Sequence, residues 1–402
     1  MTNDEKWFEK KMDRREFLKK AGIGGAGLAL GVSGASAFFA NKAQEEKKIS
    51  DGGEEISFYG EHQAGITTPM QKNIYFVVLD LHSTDKEEVI QMFKDWTDYS
   101  SKLVDGELVK KDGSNALLPP SDTGETVGLN PYRLTLTFGV SADFLKKMGL
   151  EKKRPKEFRD LPPFPKEQLQ EKYTGGDIVI QACADDEQVA FHAVRNLVRK
   201  ARNTVTMKWS QSGFAAIGDR MSTPRNLFGF KDGTANVTKE KDYDKVIWTD
   251  SNDWMKGGTY MAVRRIQMFL ETWDRTNLQE QENTFGRYKE SGAPFGKKDE
   301  FDEVDLDLLP GDSPVRLAKE VNKPIYRRSY SYSDGIVEKT GQFDTGLLFL
   351  AFQKNPDSFV KVQTNLGAQD KMNEYVTHIG SGLFACFAGV KKGEYLGQKL
   401  FE

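Results

Sequence analysis

From residue 73 onward two hydrophobic periods alternate along the chain. Asn73 to Ser83 is rich in β-branched and aromatic residues and reads as a strand. Thr84 to Leu103 spaces Val89, Ile90, Met92, Phe93, Trp96 and Tyr99 along one helical face. Arg133 to Val140 alternates with period two, Asp177 to Ala182 is a short apolar strand, Asp186 to Arg202 an amphipathic helix, and Val205 to Ser210 a further strand. The order then repeats. Gly258 to Leu270 predicts a strand, Glu271 to Phe285 a helix, and Ile325 to Tyr332 and Gly346 to Phe352 two strands. Asp357 to Leu366 and Lys371 to Ile379 read as helical, before a last strand from Leu383 to Phe387. Each half therefore reads β-α-β-β-α-β, an α+β plan of the ferredoxin-like kind, with the halves at 58–225 and 226–402. Such a sheet carries helices on one face only, so packing the two bare faces together buries both.

Composition narrows the picture. A chain of 402 residues suits two domains, and 38% hydrophobic residues, 26 of them Phe, supply a sizeable core. A net charge of -3 lacks the basic excess of a non-specific nucleic-acid binder. Two cysteines, Cys183 and Cys386, exclude a disulfide scaffold and a Cys-rich metal site, and four histidines leave little room for a multi-His centre. Long charged, Pro-containing connections at 104–131, 150–176 and 286–324 are of the length that usually covers a ligand or carries function.

The first residues read as an address. Arg14-Arg15 with Phe17-Leu18-Lys19 precedes an uncharged run from Ala21 to Ala40 weakened by its glycines, and Ala35-Ser36-Ala37 offers a small-residue cleavage site. Together they predict a twin-arginine export signal over 1–37 and a charged linker over 38–57, with a final location that is extracellular, cell-surface or periplasmic. A chance Arg-Arg ahead of a transmembrane anchor, or a retained anchor, is the other reading.

Two stretches carry chemistry. In Asn226-Leu227-Phe228-Gly229-Phe230-Lys231-Asp232-Gly233-Thr234-Ala235-Asn236 a carboxylate stands between glycines and phenylalanines at the junction of the halves. Asp-Gly is ordinarily a turn. Here the missing Cβ atoms would let a flat apolar ligand approach, and a dry pocket would raise the Asp232 pKa toward proton-shuttling range. In Tyr326-Arg327-Arg328-Ser329-Tyr330 strand alternation sends the two arginines to opposite faces, and a buried one calls for an anionic partner. A surface Arg ladder is the alternative.

Gly229-Phe230-Lys231-Asp232-Gly233 resembles the GxxDG signature of the dye-decolourising (DyP-type) haem peroxidases. The Arg-Arg-x-Tyr-Ser-Tyr run, the segment Gly346 to Gln353 and the opening Phe58-Tyr59-Gly60-Glu61-His62-Gln63-Ala64-Gly65-Ile66 are similar to the same family, in particular its secreted deferrochelatase/peroxidase branch. The resemblance implies a dimeric α+β barrel of two ferredoxin-like halves with one haem b per chain. It implies Asp232 as distal acid–base residue and Arg327 as the cation that stabilises developing negative charge and contacts a propionate or peroxide. Gly233, Thr234 and Ala235 would line the haem edge, and Leu348 and Phe349 would pack over its face. Implied partners are hydrogen peroxide, haem or ferrous iron, a membrane iron permease with its accessory lipoprotein, and a further copy of the chain.

One departure matters. Where the family has Ser-His-Val-Arg-Leu-Ala with the iron-ligating histidine, this chain has Ser313-Pro314-Val315-Arg316-Leu317-Ala318, and no His occurs between His192 and His378. A proline offers no side-chain donor. Substitutes on offer are His378, at the end of the helical stretch 371–379; His62, His82 or His192; a phenolate from Tyr326 or Tyr330; or water. Three readings follow: a haem peroxidase, in which Trp209 or Trp254 would relay electrons if either does more than pack; a haem-binding iron-acquisition protein with little turnover; or a partner of an iron permease that has lost its cofactor.

Overall fold

The computed structural model describes residues 56–402 apart from 112, 114 and 218–222; the expected export signal and nearly all of the linker lie outside the described residues. Nine strands, β1 (Asn73–Leu81), β2 (Thr135–Val140), β3 (Ile178–Ala184), β4 (Val205–Phe214), β5 (Thr259–Met268), β6 (Tyr326–Arg327), β7 (Tyr330–Val337), β8 (Gln342–Gln353) and β9 (Val376–Cys386), form one antiparallel sheet. Its order β5-β9-β2-β3-β1-β4-β7-β8 closes on itself through the β5–β8 pairing, with β6 added alongside β8. Closure removes the exposed edges that an open sheet would present.

The two halves are β2-β3-β1-β4 and β9-β5-β8-β7, and the seams between them are narrow. Phe214 pairs with Ser331 at one, and Gly139 and Val140 pair with Cys386 and Ala385 at the other. The once-bare faces meet inside, where Phe76, Val78, Val179, Trp209, Val263, Leu348, Leu350, Phe352 and Phe384 form the barrel core. Cys183 and Cys386 both point into it as free thiols. They face β2 at Thr135 and Gly139, four residues apart and so ~13 Å along the strand, too far for a disulfide.

Helices cover the outside: α1 (Lys86–Val104), α2 (Ala142–Lys147), α3 (Glu187–Lys200), α4 (Tyr243–Val246), α5 (Leu270–Trp273), α6 (Leu278–Phe285), α7 (Pro314–Val321), α8 (Pro356–Gln369) and α9 (Gln398–Phe401). Asp85 and Asp186 cap α1 and α3 by accepting from the amides of Glu88 and Val189. The stretch 371–379, read as helical, is instead a short 3₁₀ turn (Lys371–Glu374) followed by β9, so His378 belongs to a strand. β-branched Val376, Thr377 and Ile379 favour that strand once Asp370 has capped the turn.

The halves differ in how well their outer faces are covered. In the first, Val77, Leu79, Leu136, Phe138, Ile178 and Ile180 lie fully beneath α1 and α3. In the second, Ile266, Leu347, Phe349 and Val376 are only partly buried. Helix α7, although strongly amphipathic, fully buries only Leu317. Apolar surface on both the sheet and the helix layer of the second half is left incompletely packed.

Candidate functional site

The Asn226–Asn236 segment is a tight loop anchored by its aromatics. Phe228 lies against Trp273 at 4.5 Å between ring centroids, and the Trp273 Nε1 donates to the Phe228 carbonyl at 3.1 Å. Phe230 stacks on Phe285 at 4.0 Å with the rings within 6° of parallel. The backbone folds back through Asn226 N to Phe230 O and Asp232 N to Pro224 O, both 2.9 Å. Gly233 takes φ +119°, a conformation other residues rarely adopt, and so lets the chain turn directly after Asp232.

That turn aims Asp232 at Arg327, 95 residues away in the chain: Arg327 Nη1 donates to Asp232 Oδ1 at 3.0 Å. The side chain of Asn236 holds the Arg327 backbone from both sides, donating to its carbonyl at 2.7 Å and accepting from its amide at 2.8 Å. Asp232 keeps 21% and Arg327 28% of the side chain exposed. The carboxylate is thus neither dry nor unpaired.

The neighbouring Arg328 turns the other way, into the barrel core. It donates to the Thr68 carbonyl at 2.5 Å and to Gln71 Oε1, so the anionic partner expected for a buried arginine is replaced by neutral acceptors. Burial works against its charged form, yet its pKa is raised, with the Tyr330, Cys183 and Tyr326 side chains favouring the cation.

Of the residues expected to line a flat ligand, Thr234 engages Glu300 through its hydroxyl at 2.8 Å, and Ala235 is exposed. Leu348 needs correction: it points into the barrel core, whereas Phe349 packs on the outer face with Phe359 at 6.3 Å. Adjacent strand residues cannot share a face, and the outward partner of Phe349 is Leu347, which joins the Phe228–Phe230–Trp273 cluster.

Pro314 is the first residue of α7, where a fixed φ and a missing N–H cost nothing. Three of the histidines considered as substitutes are engaged elsewhere. His62 stacks on Trp248 at 3.8 Å and pairs with the Gly257 carbonyl, His82 pairs with Thr206, and His192 is held by Glu125 at 2.7 Å. His378 lies on β9 opposite Ile266, where burial and the Arg264 charge push its pKa down to about 3, leaving a neutral imidazole. Tyr326 and Tyr330 are buried with raised pKa values, chiefly from burial, which disfavours a phenolate. Trp209 packs against Phe76 and Tyr173 in the barrel, and Trp254 donates to the Lys153 carbonyl while packing on Phe387. Both do the work of packing.

Sequence reasoning missed Glu300, Arg225 and Arg287. Arg225 donates to the Gly229, Lys289 and Glu290 carbonyls at 2.6–2.7 Å, and Glu300, 8% exposed, accepts from Lys231 and Thr234. Glu300 and Arg287 lie in the charged 286–324 connection, whose composition resembles any solvated loop.

A closed barrel of two β-α-β-β-α-β halves defines a dimeric α+β barrel protein, here with an acid–guanidinium pair beside the under-covered outer face of the second half. The two domains of the Dyp-type peroxidases match this chain at residues 63–215 (N-terminal) and 223–391 (C-terminal), and the chain belongs to that family of haem-dependent enzymes, which act on hydrogen peroxide. It is 36% identical to the deferrochelatase of Shigella sonnei over 414 residues, covering 96% of both chains. With the deferrochelatase of Yersinia pestis it shares 37% over 371 residues, 86% of this chain and 84% of the relative. Among solved structures, ferric DtpA from Streptomyces lividans superposes with a TM-score of 0.82 at 36% identity, over 88% of this chain and 98% of that one. The DyP-type peroxidase of Cellulomonas bogoriensis gives 0.80 at 34%, over 88% and 99%.

The residues meet the family's cofactor in part. The partly buried apolar floor of Ile266, Leu347, Phe349 and Val376 and the under-packed α7 suit a flat apolar macrocycle, and Arg327 suits an anionic substituent. Position 314, the first residue of α7, carries no side-chain donor for the iron.

Proposed function

We propose that this chain is an exported haem peroxidase of the deferrochelatase type that reduces hydrogen peroxide and is linked to the uptake of iron or haem iron, with Asp232 and Arg327 as its reactive pair. The observation that carries the reading is the Arg327–Asp232 contact beside the partly covered apolar face of the second half. In peroxide chemistry Asp232 would accept a proton from the bound peroxide and return it to the departing oxygen, and Arg327 would stabilise the negative charge that develops. Haem supplies the redox iron when bound. The match to deferrochelatases supports a link to iron, and Arg14-Arg15 with Ala35-Ser36-Ala37 supports twin-arginine export to the cell surface or periplasm. A membrane iron permease, its accessory lipoprotein and a second copy of the chain are the partners this reading entails.

Pro314 favours a second reading of the same site, haem binding for iron acquisition with little peroxidase turnover, because a macrocycle held by apolar contact and propionate pairing is more readily released. Haemin titration of the purified mature protein, followed by peroxide turnover, separates the two. The peroxidase reading expects a saturable Soret band and turnover that falls on the order of 100-fold or more in Asp232→Asn. A Soret band without turnover selects the acquisition reading, and absence of saturable binding defeats both. Export is tested by fractionating cells that express Arg14→Lys/Arg15→Lys, in which the protein is expected to stay inside.

A further inference from the structure

The carboxylate of Glu300 spans the reactive loop from both sides of Asp232. It accepts from the ammonium of Lys231, the residue before Asp232, and from the hydroxyl of Thr234, two residues after it, at 2.8 Å. Thr223, three residues before that loop, also bonds to it. Burial opposes the ionised form of Glu300, but these donors outweigh it and hold its pKa below the ordinary carboxylate value. The segment 287–300 that carries Glu300, here called the clip, is itself fixed. Arg287 Nη1 donates to the Gly292 carbonyl at 2.7 Å and to the Glu300 carbonyl at 2.9 Å. The Lys231 stem runs so close over Gly292 that a Cβ there would lie 2.6 Å from Lys231 Cδ, and Gly292 has φ +76°. Arg225 reciprocates by bonding from the reactive loop to the clip at Lys289 and Glu290.

We infer that Glu300 is a positioning residue for Asp232: it fixes both flanks of the loop and keeps the Lys231 ammonium paired away from the Asp232–Arg327 contact. This rests on Asp232 being the reactive acid. Glu300→Gln keeps the shape but turns an amide donor toward one of the existing donors and leaves Lys231 without its carboxylate. The loop then loosens, and Lys231 competes with Arg327 for Asp232.

The test compares Glu300→Gln, Glu300→Asp and Asp232→Asn with the unaltered protein, each checked for an intact fold by circular dichroism. Amide hydrogen exchange in the protein without added haemin is expected to speed up on the order of 10-fold or more across 229–236 in Glu300→Gln, with Glu300→Asp recovering much of the protection. The rest of the sheet should exchange as before. In the haemin-loaded protein the acid limb of the pH profile for peroxide consumption is expected to move to lower pH in Glu300→Gln, since a negative charge near Asp232 is lost and a cation is released. Unchanged exchange across 229–236 overturns the inference, whatever the turnover. Should Glu300→Gln fail to fold, normal protection of 229–236 in Glu300→Asp supports the inference, and lost protection spread evenly over the whole sheet in that variant overturns it. If Asp232→Asn retains full turnover, the reading of Asp232 fails while the exchange result still decides the role of Glu300.

Discussion

Arg327 and Arg328 are adjacent in sequence, yet one holds a carboxylate at the site and the other is sealed inside the barrel with Gln71 and the Thr68 carbonyl. The strand pattern announced that the two would part, but it did not say which would turn outward; that is set by the pairing of Arg327 with Ala351 on the outward side of β8. Asp232 was legible from its glycine and phenylalanine neighbours, whereas Glu300 was not, because its importance comes wholly from tertiary contacts with Lys231 and Thr234. Pro314 was legible as an absence, and its place at the first position of α7 makes it directly testable. A histidine is tolerated there at a cost of about 1 kcal/mol or less, so Pro314→His should fold normally. Haemin titration of this variant is expected to give a sharper Soret band and affinity higher on the order of 10-fold. An unchanged spectrum would mean that residue 314 does not face the iron.

The strands β1, β2 and β3 and the helices α1 and α3 of the first half were read to within two residues at each end, because those strands lie beneath α1 and α3 and keep their apolar period. The partly exposed β4 was read four residues short, and the short α2 was not read. The second half was read less well where its covering is incomplete, most clearly at 371–379, where a capped turn and a strand together imitate helical spacing. Asp370, which caps that turn by accepting from Met372 N at 2.8 Å, is buried, and burial raises its pKa from 3.8 to about 7. Above pH 3.8 the unfolded chain ionises this group while the folded protein holds the proton. Its cost to stability therefore grows as the pH rises from about 4 to 7, stays at its full value above that, and vanishes in acid. Asn can make the same cap, so Asp370→Asn is expected to raise the melting temperature at pH 8 and to leave it nearly unchanged at pH 4. The gain corresponds to up to about 4 kcal/mol. Equal effects at both pH values would show that the carboxyl group is not the source.

At the scale of the molecule the β-α-β-β-α-β plan, with the family resemblance, predicted two halves packed face to face in a barrel, and their sheets are arcs of one ring. Ring closure depends on places where no side chain fits. Gly346 sits where β7, β8 and β5 crowd together, and a Cβ there would lie 1.9 Å from the Ile266 carbonyl and 2.5 Å from the Tyr332 hydroxyl. Gly346→Ala is expected to destabilise by several kcal/mol, on the order of 3 or more, seen as a lowered urea midpoint. A midpoint within error of the parent would mean that the contact of β5, β7 and β8 at Gly346 yields more easily than its packing suggests. Because each arc supplies one wall of a shared interior, cutting the chain between 215 and 223 should yield fragments that stay unfolded when alone and regain structure only when mixed. In heating, the intact protein should then melt in a single step, with neither half outliving the other.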